Sequence, residues 1–268
     1  MKIHGITITH PDKILYPKAT ISKLDIVHYY KNIAGQIMPY LQGRPLTLRR
    51  FPDGVDKKGF YQKNASDYFP DFIKTVVVKT EEGENTTVVC NNLKTLLYLA
   101  NQGTIEFHVW LSRMDKLNKP DKVVFDLDPP NGSIKRLKKG ANVIRGFLAE
   151  EGIHCQLNTS GKNGLHLWYI IRRTKTFDES REKVKGYAQK LAALHPDLLT
   201  TEMRKENRDG RIFIDYPRNS YGQTIICPYS LRATDNASIA TPVSWEELPK
   251  LKSAQDFNLK NISKRKNL

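Results

Sequence analysis

Sulfur and acid are both scarce in this chain. Its 268 residues contain three cysteines, Cys90, Cys155 and Cys227. They are odd in number, far apart and form no C-x-x-C pair, which excludes a disulfide framework and fits a reducing compartment. No apolar run approaches the ~20 residues of a membrane span. The opening MKIHGITITHP lacks the apolar core of a signal peptide, so the expectation is a soluble, intracellular chain with no membrane contact. Internal repeats and low-complexity linkers are also missing. Asp and Glu number 28 against 43 Lys and Arg, a net charge of +15. That excess points to a polyanionic partner, most simply nucleic acid, with a basic surface kept for solubility as the alternative.

What is present is a folded pattern, with 39% apolar residues. ISKLDIVHYYKNIAGQIMPYL reads as one helix, with Ser22 as cap, Asp25 completing a capping box, and Ile26, Tyr29, Ile33 and Ile37 at helical spacing. RPLTLRRFPDGVDKKGFYQKN alternates basic and aromatic residues around a turn and predicts a hairpin or an exposed loop. KTVVVKTEEGENTTVVC predicts a hairpin, and NLKTLLYLANQG a helix closed by Gly103. A helical pattern runs from Ile134 to Glu151, with Lys135, Arg136, Lys138 and Lys139 in its first turns, where acids are the favoured charge. HCQLNTS and LHLWYII read as strands around SGKNG, Phe177 to Leu194 as an amphipathic helix, and RIFIDYPRN as a further strand. The fold class expected is α+β, with a mixed or antiparallel central sheet flanked by helices in a single catalytic domain over residues 1–250. A basic tail is expected over 251–268, with its last stretch, KNISKRKNL, frayed.

The chemistry begins at VVFDLDPP. Asp126 and Asp128 share one face of an otherwise apolar strand, and two adjacent like charges call for a cation or a shared proton. Asp215, near the end of RIFIDYPRN, adds a third carboxylate. Oxygen-only ligation suits Mg²⁺ or Mn²⁺ rather than zinc, and a two-metal site of this kind serves polymerases and nucleases. SGKNGLHLW offers backbone amides at Ser160, Gly161 and Gly164, with Lys162 and His166 adding charge or donors for an anion. It is not a P-loop, because the G-x-x-x-x-G-K-[ST] spacing is absent. Around Asp215 stand Arg204, Arg208, Arg211 and Arg218, with Arg232 following in YSLRA, a composition suited to a triphosphate.

DLDP, SGKNGLH and RDGRIFIDYPRN, in that order, with DKILYP and RPLTLRRFPDG before them and YSLRA after, resemble the polymerase domain of bacterial ligase D. That family belongs to the archaeo-eukaryotic primase superfamily, and the resemblance covers nearly the whole chain. It implies that Asp126 and Asp128 hold both metals and that Asp215 holds the one activating a primer 3′-hydroxyl. Ser160, Lys162, His166, Arg208 and Arg232 would hold the sugar and triphosphate of the incoming nucleotide, joined by Arg218 and Asn219. The resemblance places a base-stacking aromatic at Phe60 or Tyr61, with Arg49 on the nucleotide and Arg50 and His108 on the template. Lys13 and Lys23 match a pocket for a 5′-phosphate on the downstream strand.

The activity implied is template-directed extension of a primer with NTPs or dNTPs, with a leaning to ribonucleotides and with two Mn²⁺ or Mg²⁺ ions as cofactors. The setting implied is non-homologous end joining on DNA ends in a prokaryotic cytoplasm, with Ku and a DNA ligase as partners. Residues 1–120 would carry the DNA-end and template contacts, and 121–250 the metal and nucleotide core. The ligase motif K-x-D-G is absent, since Asn207 stands where its lysine is required. A primase that starts chains unaided and a non-catalytic end-binding module are the alternatives.

Overall fold

The computed structural model describes residues 1–81, 83–129 and 133–265. Pro130 of VVFDLDPP, Glu82 of the EEGEN turn and the last three residues of the expected tail lie outside them. The chain divides into two compact units. The first comprises Met1–Asp115, Thr224–Ala240 and Phe257–Leu268, and the second Lys116–Gln223 and Thr241–Asp256.

In the first unit, a four-stranded antiparallel sheet runs in the order Thr224–Ile226, Thr104–Trp110, Leu46–Arg50, Phe60–Gln62. The pairing of Leu46–Arg50 with Phe60–Gln62 settles RPLTLRRFPDG…FYQ as a hairpin. A separate hairpin joins Lys74–Thr80 to Gly83–Val89. The helix expected across residues 21–41 is two helices, α1 (Lys23–Asn32) and α2 (Ala34–Leu41), which meet at Ile33. Two weak helix formers, Gly35 and Pro39, follow the break. The capping box of Ser22 and Asp25 starts α1. Helix α3 (Leu93–Asn101) packs on α1 and ends at Gly103, whose φ of +78° suits the left-handed closing turn.

Buried tyrosines of α1 bind the backbone of residues 229–231. Tyr29 donates to the Tyr229 carbonyl at 2.7 Å, and the Tyr30 hydroxyl accepts from Leu231 N at 3.1 Å. The chain is tied in over 257–262, within the basic tail expected from 251 and reaching into the KNISKRKNL stretch expected to fray. Phe257 and Leu259 bond the backbone of residues 237–239, and Ile262 is buried, because its side chain adds to the apolar core.

The second unit is built on a six-stranded mixed sheet. Its order is Leu199–Thr200, Ile212–Ile214, Lys122–Asp128, Leu165–Ile170, Gln156–Thr159, Pro242–Val243. Among the described residues, the one parallel pair in this sheet is Leu199–Thr200 with Ile212–Ile214. Phe125 and Leu127 are fully buried, as the alternation of the central strand requires. Helix α4 (Ile134–Glu150) packs on the sheet, and α5 (Phe177–Leu194) packs on the turn Tyr216–Asn219, with Phe177 edge-on to Tyr221. In the basic start of α4, Arg136 and Lys138 reach the backbone carbonyls of Asp197 and Pro249, while Lys135 and Lys139 are exposed.

Candidate active site

Strand register brings the carboxylates of the second unit together. Asp126 pairs with His166 on one neighbouring strand, and Leu127 and Asp128 pair with Ile214 and Phe213 on the other. The chain leaves that second strand at Asp215, whose N–H donates to the Asp126 carbonyl at 2.9 Å. A residue 89 positions away in sequence thus becomes the neighbour of the D-x-D pair.

Each carboxylate already faces a cation. Arg218 Nη2 lies 2.8 Å from Asp215 Oδ2, and Arg218 Nε lies 3.4 Å from Asp126 Oδ2. His166 Nε2 is 3.3 Å from Asp126 Oδ1. Arg208 Nη1 donates to Asp128 Oδ2 at 3.2 Å, while its other nitrogens bond the carbonyls of Glu202 and Met203. Burial pushes the Asp215 carboxyl above the usual carboxylate range; Arg218 pulls it down, and the Asp126 charge pushes it up again.

Among the described residues, no three His, Cys, Asp or Glu side chains converge into a ready-made ligand group for a metal. The donor set, three carboxylates without sulfur, nevertheless fits a hard divalent cation. The arginine arrangement also differs from the clamp expected around Asp215. Arg211 turns back onto its own loop at Arg208, Asn207 and Asp209, and Arg204 is exposed. Arg232 belongs to the first unit.

Two residues expected to hold the nucleotide are engaged in holding the scaffold. Asn219 is 1% exposed, and its amide accepts from Val124 N at 2.9 Å and donates to Val124 O at 2.8 Å. The bonds of that buried amide continue the sheet ladder beyond the end of Ile212–Ile214. Ser160 Oγ accepts from Gly164 N at 3.0 Å and Lys162 N at 3.3 Å, which ties the SGKNG turn closed. Lys162 is half-buried on that turn.

In the first unit the expected groups gather around a residue that the sequence reading missed. Glu106 is fully buried. Its Oε1 lies 3.2 Å from Arg232 Nε, 3.3 Å from Arg49 Nη1 and 3.0 Å from Ala233 N, and its Oε2 lies 3.0 Å from His108 Nε2. Burial pushes Arg232 below the usual guanidinium range, and Glu106 offsets it. The signal for this residue was present in IEFHVW, where two polar residues stand two apart in an apolar strand.

Phe60 and Tyr61 are 46% and 58% exposed, with Arg50 over the Phe60 ring and Arg49 over the Tyr61 ring. Tyr61 also meets His108 edge-on. Arg50, expected on the template, is buried, and it bonds Gln62, Tyr68 and Gln102 because its strand turns it toward them.

Lys13 and Lys23 come together as well. Lys23 N–H donates to the Lys13 carbonyl at 2.8 Å, and burial, followed by the Lys13 charge, lowers the Lys23 ammonium. Neither ammonium is idle. Lys23 Nζ donates to Thr9 O at 2.8 Å, and Lys13 Nζ pairs with Asp53 at 2.8 Å. A surface pocket of 430 Å³ is lined by His10, Asp12 and Lys13. Among the described residues no helix is long and apolar enough to cross a membrane.

The chain is 33% identical over 245 residues to the Bacillus subtilis (strain 168) bifunctional non-homologous end joining protein LigD, covering 91% of this chain and 39% of that protein. It is 32% identical over 262 residues to the multifunctional non-homologous end joining protein LigD of Pseudomonas aeruginosa, covering 97% of this chain and 31% of that protein. It therefore spans less than two fifths of the length of these relatives. Its structure aligns with the polymerase domain from Mycobacterium tuberculosis Ligase D in complex with DNA at a TM-score of 0.91 and 31% identity, covering 98% of this chain and 96% of that one. Residues 22–267 match the family model for the LigD primase-polymerase domain, and the chain belongs to that family.

Proposed function

We propose that this chain is a template-directed, primer-extending nucleotidyltransferase that fills gaps and extends ends at DNA breaks during non-homologous end joining. The observation that carries the reading is the register that sets Asp215 beside Asp126 and Asp128. The relatives named for end joining, and the related polymerase domain solved in complex with DNA, support the setting. The excess of basic charge supports a nucleic-acid substrate.

Asp126, Asp128 and Asp215 would hold two divalent cations, Mn²⁺ or Mg²⁺. Bound there, the cations would lower the pKa of the primer 3′-hydroxyl and neutralise charge on the phosphates. The primer 3′-hydroxyl would then attack the α-phosphate as the bond to the β-phosphate breaks, so that pyrophosphate leaves and the hydroxyl proton passes to solvent. Arg208 and Lys162 offer cations to the phosphates on this unit. On the first unit, Arg49 and Arg232 offer guanidinium groups, and Phe60 and Tyr61 present open rings for base stacking. The reading includes use of NTPs at least as well as dNTPs, and Ku and a DNA ligase as partners.

The test is extension on a gapped duplex with Mn²⁺ or Mg²⁺. The parent lengthens the primer, and Asp126→Asn and Asp215→Asn each lose on the order of a thousandfold in rate. Competition between ATP and dATP opposite template T reports the sugar choice. A parent that gives no longer product, or variants within a few-fold of it, would overturn the reading.

A further inference from the structure

We infer that Tyr68 is a stacking site for an unpaired base of single-stranded DNA, beside Arg50 and Phe60 on the face of the four-stranded sheet that turns away from Glu106. The inference rests on the DNA-binding part of the reading above and adds to it a residue that no sequence motif singles out. Strand register separates two groups of side chains. Arg49 pairs with Tyr61 and Glu106, and Arg50 pairs with Phe60. Directly opposed residues share a face and successive ones alternate, so Arg49, Tyr61 and Glu106 lie on one face and Arg50 and Phe60 on the other. Arg50 stands 5.4 Å from the centre of the Phe60 ring and donates from Nη1 to the Tyr68 hydroxyl at 2.9 Å. One buried guanidinium therefore serves two exposed rings. Single apolar side chains scattered over a surface need no explanation, but among the described residues the exposed aromatic rings, Phe60, Tyr61 and Tyr68, all fall between residues 60 and 68.

Tyr68 is 60% exposed and yet held in place. Its ring meets Phe69 edge-on at 5.2 Å, and Phe69 meets Tyr98 of α3 edge-on at 5.6 Å. Phe69 N–H donates to the Ser66 carbonyl at 2.9 Å, and the Gln62 amide donates to the Ser66 hydroxyl at 2.8 Å. Asn64 ties the same segment to the neighbouring hairpin, accepting from Thr86 N and donating to the Asn85 side chain, both at 2.9 Å. A ring fixed at its hydroxyl and at its edge has little freedom to lose on binding, and its open side accepts any base. The base must be unpaired, because in a duplex its faces are covered by its stacked neighbours. Arg50, Lys63 and Lys94 outnumber Asp67 and Asp71 in these segments, and Lys94 lies 4.1 Å over the ring of Phe72, which meets Tyr98 edge-on. That balance leaves the surface able to take a phosphate backbone next to the stacked base.

The experiment measures, by fluorescence anisotropy at one fixed salt concentration, binding of the full chain to a labelled DNA duplex with a single-stranded overhang and to the same duplex cut blunt. Tyr68→Ala should weaken binding of the overhang on the order of tenfold and leave the blunt duplex unchanged. Tyr68→Leu, which keeps apolar bulk without an aromatic face, should lose as much and also serves if the Ala variant fails to fold. Tyr68→Phe keeps the ring and should retain most of the affinity. Abasic sites placed one at a time along the overhang should find one position at which the parent binds no better than Tyr68→Ala, which locates the stacked base. Parental affinity for the overhang in Tyr68→Ala or Tyr68→Leu overturns the inference, and so does an equal loss on overhang and blunt duplex, the pattern of a disturbed fold. Primer extension by the parent in the same buffer keeps the two readings apart: a parent that extends while Tyr68→Ala binds as it does loses the stacking site alone, and a parent that binds the overhang through Tyr68 without extending loses the polymerase reading alone.

Discussion

The side-chain amide of Asn219 bonds both backbone groups of Val124, accepting from its N–H at 2.9 Å and donating to its carbonyl at 2.8 Å. Val124 lies two residues before Asp126, and Asn219 lies four after Asp215. The pair therefore sets the distance between two segments that carry carboxylates. Asn219→Ala leaves two buried backbone groups unsatisfied, at a cost of about 1–3 kcal/mol each. A fall of that size should appear in the urea midpoint, together with slower extension. Asn219→Ala with parental stability would show that water replaces the amide at no cost.

Gly164 is constrained by a close approach. A Cβ built there runs into the carbonyl oxygen of Leu127, the residue between Asp126 and Asp128. Gly164→Ala must push that strand or the SGKNG turn aside, and overpacking of this kind costs about 1–3 kcal/mol. Displacement of reacting groups by ~1 Å can cost a hundredfold in rate. Extension should drop far more in Gly164→Ala than in Asn163→Ala, its exposed neighbour. Similar rates for the two would mean that the turn yields without moving the carboxylates.

Local chemistry explains what was legible in the sequence. Helix α5 was readable at both ends because an amphipathic pattern begins just after Thr176 and runs to Leu194. The face shared by Asp126 and Asp128 followed from strand alternation. Strand register was not legible, since the meeting of Asp215 with Asp126 depends on long-range pairing that no local propensity encodes. The protein partners of Asn219 and Arg50 were not legible for a related reason, because which neighbours take up a polar side chain depends on the tertiary packing. Glu106 was overlooked although it sits two residues before His108, with the same spacing that drew attention to the D-x-D pair.

The amino end of α5 makes a prediction about acid. Glu179 closes a capping box with Thr176, and hydrogen bonds from Thr176 and Lys175 hold its carboxyl at about 2. A depressed acid contributes stability that is present above its unfolded value of ~4.3 and lost as pH falls toward the folded one. Glu179→Gln keeps a capping side chain and removes the charge. Its urea midpoint should therefore fall less steeply than that of the parent from pH 5 to pH 2. Parallel curves would remove Glu179 from the acid response.

The pairing of Lys13 with Asp53 at 2.8 Å bears on recognition of DNA ends. A 5′-phosphate must compete with Asp53 for that ammonium, while Lys23 stays buried against Thr9. On gapped duplexes at one fixed salt concentration, the parent should prefer a 5′-phosphate over a 5′-hydroxyl. Asp53→Asn should enlarge that preference, and Lys13→Ala should remove it. No preference in the parent would dismiss the pocket. A preference that survives Lys13→Ala would assign it elsewhere.

Glu106 carries the strongest prediction because its carboxylate is fully buried and answers Arg232, Arg49 and His108 together. Arg232 is itself buried, so removing the anion leaves a cation without compensation in a poorly solvated place. Breaking a buried pair from one side costs about 3–5 kcal/mol. Glu106→Gln keeps the shape and deletes the charge, and its melting temperature should drop on the order of 10 °C. Arg232→Met in the same chain removes the stranded cation, so the double variant should lose less than the two single losses added together. If Arg49 and Arg232 bind triphosphate, the folded Glu106→Gln protein should show a larger rise in KM for nucleotide than fall in kcat, since the guanidinium groups lose their fixed directions. A Glu106→Gln protein with the melting temperature and KM of the parent would show that the cluster holds its arrangement without the charge.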